Sequence, residues 1–517
     1  MSRRAHLPTL VLFAASLAFR LPPLLNARST NSDAAVVGLQ AMHVLSGELS
    51  PLLWGSGYQT SVDAFVAALF FVPLGPTPFA LMLSALSLHV LASYLVFATV
   101  RRRVDPWLAL LVTMPLVVSP SSVHTYALYP PRQASLTLAL AAFWAIDAAT
   151  FAKRDASGWK TRGWLFAGAG CATLAVSADP YPLLLLPLLA LHALLVAWPA
   201  AEIAEATSQA RLTRFTAVVL GATVGLLPFV LLHRFAGAKS GPMGLSLSML
   251  AHHRKLLVEE CLPWALSYKV YFARDVMDYR PWAPGWFRTV GMFGACFLGA
   301  LVAFGLLVAP LRREIPSHVR RLGLVGALVF PIAIDAFLLS VMVMDHFSMR
   351  YLAVLTLLTP FAVTPAAWIL GRRRFLLAFA PHLIASAIGG WVGYGPFVRG
   401  LVPVKETPEL RDDYALLSML QQRSILYATA DYWASYRLTF LFRERVVVVP
   451  TNEAEDRRAG YRRGLEAQPI YAYVYDPGRS REDFASIEPA LAAESESVEK
   501  LSAGRLTVFV VTRRARP

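Results

Sequence analysis

The stretch Thr77-Pro-Phe-Ala-Leu-Met-Leu-Ser-Ala-Leu-Ser-Leu-His-Val-Leu-Ala-Ser-Tyr-Leu-Val-Phe-Ala-Thr-Val100, followed directly by Arg101-Arg-Arg103, runs 24 residues without an acid, lysine or arginine and then carries three cations. A helix needs about 20 apolar residues to cross a bilayer. Lys and Arg collect at the cytoplasmic end of a crossing. The stretch therefore reads as a membrane span that ends inside. Ten further runs are mostly apolar: 7–25, 107–120, 133–151, 163–178, 180–198, 215–232, 288–308, 322–343, 350–370 and 375–394. The runs 107–120 and 163–178 are short, and 163–198 could be counted as one broken span. Basic clusters sit at Arg3–Arg4, Arg101–Arg103, Lys153–Arg154 with Lys160 and Arg162, Arg211 with Arg214, Arg312–Arg313 with Arg320–Arg321, and Arg372–Arg374. With eleven crossings and the N-terminus inside, every cluster falls on one side, and everything after about residue 395 lies outside.

The composition agrees. Of the 517 residues 56% are hydrophobic and only 16% charged, against roughly 25% charged in soluble domains. That charge poverty excludes an ordinary soluble enzyme, a disordered chain and a nucleic-acid binder. The formal charge of +15 is then mostly a topology signal, with some attraction to anionic lipid heads. Three scattered cysteines, Cys171, Cys261 and Cys296, fit neither a disulfide framework nor a zinc site. The first run has Arg20 and Pro22–Pro23 where a signal peptide would carry small residues, so it reads as an uncleaved first helix.

The expected architecture is thus mainly α: residues 1–394 form a polytopic helical membrane domain with about eleven spans, and 395–517 an extracytoplasmic α/β domain. Long outer loops at 26–76 and 233–287 interrupt the first part. In the tail, helix-like stretches at 408–422, 431–443, 453–467 and 481–495 alternate with apolar strands at 424–429, 446–450, 470–475 and 505–512, which predicts a largely parallel sheet. No glycine-rich phosphate loop follows any of these strands. The aromatic group Tyr432, Trp433 and Tyr436 is at helical spacing, where packing is the commoner role and sugar contact the alternative.

The first outer loop carries the chemistry. In Arg28-Ser-Thr-Asn-Ser-Asp-Ala-Ala-Val-Val-Gly-Leu-Gln-Ala-Met-His-Val-Leu-Ser-Gly47, Val36, Val37, Ala41, Val44 and Leu45 recur every three or four residues, while Gln40, His43 and Ser46 take other faces. This pattern predicts a short amphipathic helix along the membrane surface, capped by Asn31, Ser32 or Asp33 and ended by Gly47. Asp33 is either a plain helix cap or a carboxylate base at the water–lipid boundary.

An apolar helix with an arginine near its outer end, a short loop with Asp, then an amphipathic helix resembles the protein O-mannosyltransferase and aminoarabinose transferase relatives of the GT-C glycosyltransferase superfamily. The segment Asp33–Gly47 resembles the bacterial family 39-like motif Asp-Glu-Ala-Val-Val-Gly-Leu-Met-Ala-x-His-Ile-Leu-x-Gly. Further on, Trp54-Gly-Ser-Gly-Tyr58-Gln-Thr-Ser61-Val-Asp63-Ala resembles Tyr-Gly-Gln-x-Tyr-x-Gly-Ser-Leu-Glu-Ala. Met349-Arg350-Tyr351-Leu352 and Ala430-Asp-Tyr-Trp-Ala-Ser-Tyr-Arg-Leu-Thr-Phe440 also resemble family segments. Three departures stand out: Ala34 replaces the second acid, Ser56 a Gln, and Asp63 a Glu.

The resemblance implies transfer of a sugar from a polyprenyl-phosphate donor to a lipid, glycan or protein acceptor on the outer face of a bacterial inner membrane. It gives Asp33 the catalytic role. Such transfer needs a general base for the acceptor hydroxyl and cations for the departing phosphate. Arg132, after His124-Thr-Tyr-Ala-Leu-Tyr129-Pro-Pro, and Arg350 sit at outer helix ends and are expected on the donor phosphate; snorkelling toward lipid heads is the alternative. Sugar or acceptor contacts are expected from Tyr58, Asp63, His43, Tyr129, His346 and Tyr351. Direct displacement predicts inversion. No cofactor and no metal site is expected, Asp345–His346 being an isolated pair. A lipid or glycan transporter, or a non-catalytic envelope-binding relative, are the readings from other classes.

Overall fold

The computed structural model describes residues 6–25, 27–120, 131–152, 158–198, 208–238, 244–273, 279–393 and 407–514. The chain runs through α1 (Leu7–Leu25), α2 (Ser32–Leu45), α3 (Val62–Leu74), α4 (Pro78–Val100), α5 (Pro106–Val118), α6 (Gln133–Phe151) and α7 (Trp159–Ala178). A 3-10 turn at Tyr181–Leu185 leads into α8 (Leu186–Ala197), followed by α9 (Ser208–Phe235), α10 (Gly285–Ala303), α11 (Ser317–Leu339) and α12 (Ala353–Gly393). Each of the eleven apolar runs falls wholly or largely in helix. Among the described residues seven helical stretches are long and apolar enough to cross a membrane. One of them, His346–Gly393, counts once although Gly371, at φ +67°, breaks α12 into two legs. Arg372–Arg374 follow that break, where the chain turns back.

Contacts between helix ends bring the basic clusters at Arg101–Arg103, Arg320–Arg321 and Arg372–Arg374 to one side. Arg101 donates to Thr9 Oγ1 at the start of α1 (3.3 Å), and Arg103 to the His318 carbonyl at the start of α11 (2.9 Å). Arg321 donates to the Leu195 carbonyl near the end of α8 (2.7 Å), and Arg372 lies 5.8 Å from the Trp107 ring at the start of α5. Asp147, near the end of α6 and fully buried, is neutralised by Arg102 (2.8 Å) and Arg103. A buried acid without such partners would destabilise the bundle by several kcal/mol, on the order of 3–5. The helices are thus in register, and α2, α3 and the tail sit at the opposite end.

The loop 233–287 contributes an antiparallel hairpin, β1 (Val270–Ala273) with β2 (Tyr279–Trp282). The tail contains α13 (Pro408–Gln422), β3 (Tyr427–Ala430), α14 (Tyr432–Leu441), β4 (Val447–Pro450), α15 (Ala459–Glu466), β5 (Ile470–Tyr475), α16 (Phe484–Glu494), β6 (Ser495–Ala503) and β7 (Leu506–Arg513). Its sheet has the order β4-β3-β5-β7-β6. The β3/β4 and β3/β5 pairings are parallel, but β5/β7 and β6/β7 are antiparallel, so the sheet is mixed rather than largely parallel. The difference comes from β6, a polar edge strand absent from the sequence reading. Gly504, at φ +60°, turns it back onto β7 as a hairpin. Glu496 and Glu499 face solvent on that edge, as edge strands require.

The tail packs directly on the first outer loop. Tyr432, Tyr436, Phe440 and Val449 share one hydrophobic cluster with Ala35, Val37 and Leu39 of α2 and with Ala64 and Ala68 of α3. Gly38 makes the approach possible, since a Cβ there would meet the Phe440 ring at 2.6 Å. Polar contacts fix the register: Ser32 Oγ donates to the Tyr432 carbonyl (2.6 Å), and the buried Arg437, paired with Asp413, donates to Ser29 Oγ (3.1 Å).

Candidate functional site

Asn31 is the helix cap: its side chain accepts from the Ala34 amide at 2.8 Å. Asp33 is therefore released from that duty. Its neighbours Ser32 and Ala34 are fully buried, while the Asp33 side chain is 46% exposed, the open side chain of the first turn of α2. The Tyr432 hydroxyl donates to Asp33 Oδ1. Arg457 Nη2 donates to that hydroxyl at 3.2 Å and lies 3.9 Å from Oδ1. Burial pushes the Tyr432 phenol well up, so it keeps its proton and acts only as a donor toward the carboxylate. The described contacts of the carboxylate all fall on Oδ1.

A tight loop brings the next residues in. Gln40 of α2 is buried, donates to the Leu52 carbonyl (2.9 Å) and accepts from the Trp54 amide (3.3 Å). Gly55 and Gly57 both take positive φ, +66° and +69°. Arg457 donates to the Gly55 carbonyl (3.2 Å), and a Cβ on Gly55 would stand 2.6 Å from the Arg457 Cα. On the far side of the loop, Thr60 donates to the Ala178 carbonyl (2.9 Å) and Gln59 to Asp179 Oδ2, both at the outer end of α7.

Asp179 is the hinge of the second group. It lies 3.4 Å from Arg132 Nε, and its other oxygen accepts from the Tyr181 amide at 2.7 Å. The Arg132 guanidinium is 5.9 Å from the Tyr181 ring centroid, and the Tyr181 hydroxyl donates to the Arg350 carbonyl (2.9 Å). Arg350 donates to the Tyr351 hydroxyl (3.2 Å). Tyr58 joins the two groups: its phenol, raised chiefly by burial, lies in the field of Arg132, Asp179, Arg457 and Tyr351 together. The structure thus gathers Tyr58, Arg132, Arg350 and Tyr351 at one end of the bundle, with Asp33 reached through Arg457.

Other expected contacts lie elsewhere. Asp63 is half-buried and serves the backbone: it accepts from the Arg132 amide (3.1 Å) and the Ala134 amide (3.2 Å) at the start of α6. It thereby holds Arg132 at φ +98°, a conformation that costs a side-chain-bearing residue about 1–3 kcal/mol. Desolvation raises its carboxyl to about 6, and Asp179 adds to the rise. Ten residues past Asp33 is about 15 Å along a helix, and there His43 bridges Glu48 (2.7 Å) and Glu444 (2.8 Å). It ties α2 to the tail. His346 stacks on Tyr271 with centroids 4.5 Å apart, beside Trp264, on a separate aromatic patch. Tyr129 lies outside the described residues. Among the described residues no group of three His, Cys, Asp or Glu side chains is placed to hold a metal.

No family model matches the sequence, and no curated protein is similar to it. Among solved structures the chain is similar to ArnT from Cupriavidus metallidurans, at 12% identity, over 97% of each chain, with a TM-score of 0.48. The same protein bound to undecaprenyl phosphate matches at 13% identity, over 98% of each chain, again with a TM-score of 0.48. The Archaeoglobus fulgidus oligosaccharyltransferase in complex with Zn and sulfate matches at 11% identity, over 90% of this chain and 68% of that one, with a TM-score of 0.49.

Four contributors were not picked out from the sequence. Gln59 and Asp179 are single polar residues whose meeting spans 120 positions, and no local spacing announces it. Tyr432 sat within an aromatic group read as packing. That reading fits Tyr436, fully buried with its hydroxyl accepting from the Arg457 amide at 2.6 Å, and it fits the Tyr432 ring in the same cluster, whose hydroxyl in addition reaches Asp33. Arg457 lies in a charged run that reads as a solvated face. The one available signal was Asp431, which caps α14 through the Trp433 amide (3.0 Å) and so turns Tyr432 toward α2.

Chemically the arrangement offers a half-open carboxylate buttressed by a permanent donor. Two arginines sit at helix starts on the tail side of the bundle, with aromatic rings between them.

Proposed function

We propose that this protein is a membrane glycosyltransferase of the GT-C type that moves a sugar from a polyprenyl-phosphate donor to an acceptor hydroxyl on the outer face. Asp33 takes the hydroxyl proton as the acceptor oxygen attacks the anomeric carbon. The bond to the phosphate oxygen breaks on the opposite face, which inverts the anomeric centre. Arg132 and Arg350 hold the phosphate and stabilise the charge it gains, since a guanidinium stays protonated and pairs two oxygens at once. Asp179 and Asp63 position Arg132. Tyr58 and Tyr351 offer rings to the sugar. The reaction as drawn uses no metal. In this reading residues 1–394 form the catalytic membrane domain, and 395–517 an extracytoplasmic domain that completes it. The observation that carries the proposal is the Arg457–Tyr432–Asp33 chain at the same end of the bundle as Arg132 and Arg350.

The test is turnover by the purified protein in lipid nanodiscs, offered a panel of polyprenyl-phosphate sugars and an envelope-lipid extract as acceptor. Donor consumption that collapses in Asp33→Asn is expected. Equal consumption by the two proteins removes Asp33 as the base, and no consumption of any donor removes the enzyme reading.

A further inference from the structure

His43 stands where the first outer loop meets the tail, and both of its ring nitrogens face carboxylates. Nδ1 is 2.7 Å from Glu48, in the same segment, and Nε2 is 2.8 Å from Glu444, in the turn between α14 and β4. An ionised carboxylate only accepts, and a neutral imidazole carries a single N–H. Both contacts are therefore hydrogen bonds only while His43 is an imidazolium. Each carboxylate has a further donor: both Nη atoms of Arg458 reach Glu48 at 3.0 Å, and the Tyr461 hydroxyl donates to Glu444. Glu48, Glu444, Arg458 and Tyr461 are the charged and titratable groups that face His43 from the loop, the α14–β4 turn and the start of α15. The hydrogen bond to Glu444 is the main cause that raises the His43 pKa from its usual 6.5; Glu48 adds to it, while burial and Arg458 oppose it.

The tail side of this contact is strained. Arg443 and Glu444 both take positive φ, +51° and +57°. Two successive side-chain-bearing residues keep such a conformation only where their surroundings hold them in it. Here the Glu444 carboxylate is the anchor, held by His43 of α2 and Tyr461 of α15.

We propose that His43 is a proton-operated latch that seats the tail on the first outer loop. Charged, it bridges Glu48 and Glu444; neutral, it turns a lone pair toward one of them. Glu48 stays beside His43, since its amide donates to the His43 carbonyl at 2.9 Å. Glu444 is joined to α2 only across the interface, so the strained turn is the part that lets go. Because the pKa is raised in the folded chain, the latch is complete below 6.5 and is lost as pH rises through the folded value. The latch depends on no reaction. Its consequence for transfer, that Tyr432 and Arg457 draw away from Asp33 as the seat loosens, rests on the glycosyltransferase reading.

The experiment is hydrogen exchange of the full chain in phosphatidylcholine nanodiscs, read by mass spectrometry on peptides covering residues 441–448. Exchange in His43→Gln is divided by that of the parent at each pH, which cancels the chemical rate of exchange. The expected ratio is about tenfold at pH 6, as loss of one charge-assisted hydrogen bond gives, and close to one at pH 9. The same ratio at both pH values, whether ten or one, overturns the latch. Glu444→Gln keeps an acceptor but no charge, so its ratio is expected to converge on one in the same way, and a ratio independent of pH there overturns the proposal too. Converging ratios in a protein that transfers no sugar keep the latch and remove only its consequence for transfer. Asp33-dependent transfer with ratios that do not change with pH keeps the enzyme reading and removes the latch.

Discussion

Replacing Tyr432 with Phe removes a single oxygen from the chain that runs from Arg457 through the phenol to Asp33. Tyr432 is 5% exposed, so no water takes the lost place, and the ring still fills its space against α2. A hydrogen bond to a charged group contributes about 1.5–3 kcal/mol, and about 1.4 kcal/mol is tenfold in rate. Tyr432→Phe is therefore expected to slow transfer about ten- to a hundredfold. Asp33→Asn, which removes the base itself, is expected to slow it about 10²–10⁴-fold. Because Tyr432 acts only through Asp33, the losses do not add. In the double variant the rate falls no lower than in Asp33→Asn, and the coupling equals the whole of the Tyr432→Phe effect. Initial rates with a labelled lipid-linked sugar in nanodiscs measure this, with melting temperatures to confirm that each variant is folded. Multiplicative losses, with Tyr432→Phe costing as much in the Asp33→Asn background as in the parent, refute the assignment.

Arg132→Ala and Arg350→Ala are each expected to weaken binding of polyprenyl phosphate about tenfold or more, with Lys restoring part of it; titration of the lipid by native mass spectrometry reads this out, and unchanged affinity in both returns these residues to lipid anchoring. Asp63, whose carboxyl is raised to about 6 from 3.8, binds its proton more tightly folded than unfolded, so its contribution to stability falls as pH rises from about 3.8 to about 6 and is level above. Asp63→Asn removes that slope while keeping an acceptor for the α6 amides, so the melting-temperature difference between variant and parent grows in the variant's favour from pH 4 to pH 6; a constant difference contradicts the raised carboxyl. Gly55→Val forces a side chain into positive φ and against the Arg457 backbone. It is expected to cost about 1–3 kcal/mol, exposing the tail to limited proteolysis and slowing transfer; a protease-resistant, fully active variant rules out the close seat of the tail on the loop.

Much of the membrane part was legible because bilayer physics is one-dimensional. Uncharged runs such as 77–100 and the cations that end them are local facts, and the Arg101, Arg321 and Arg372 contacts put those ends together. Asp33 was legible as an acid at the start of a helix, though not as one freed from capping, since Asn31, Ser32 and Asp33 can all cap; the helix itself, expected along the membrane surface, is buried from Ala34 to Ala41 against α3 and the tail. The β6 strand was hidden because Ser-Glu-Ser-Val-Glu-Lys carries the polarity of an exposed edge, which resembles a helix end. Asp63 looked like a sugar contact from its motif position, and only the distant start of α6 shows what occupies it. Arg457, Asp179 and Gln59 gain much of their meaning through distant partners, Arg457 on the Gly55 carbonyl and Gln59 on Asp179, and such meetings leave no period in the sequence.

The seat of Tyr432 and Arg457 on α2 has a consequence for how the molecule is made. While the chain emerges from the ribosome, Asp33 enters the membrane early, yet the two side chains that brace it are synthesised some 400 positions later. Every helix can be threaded and packed before the carboxylate is armed. In the proposed reading, completion of the site is thereby tied to the last segment, and a prematurely released polypeptide is expected to lack transfer activity however well its helices have inserted.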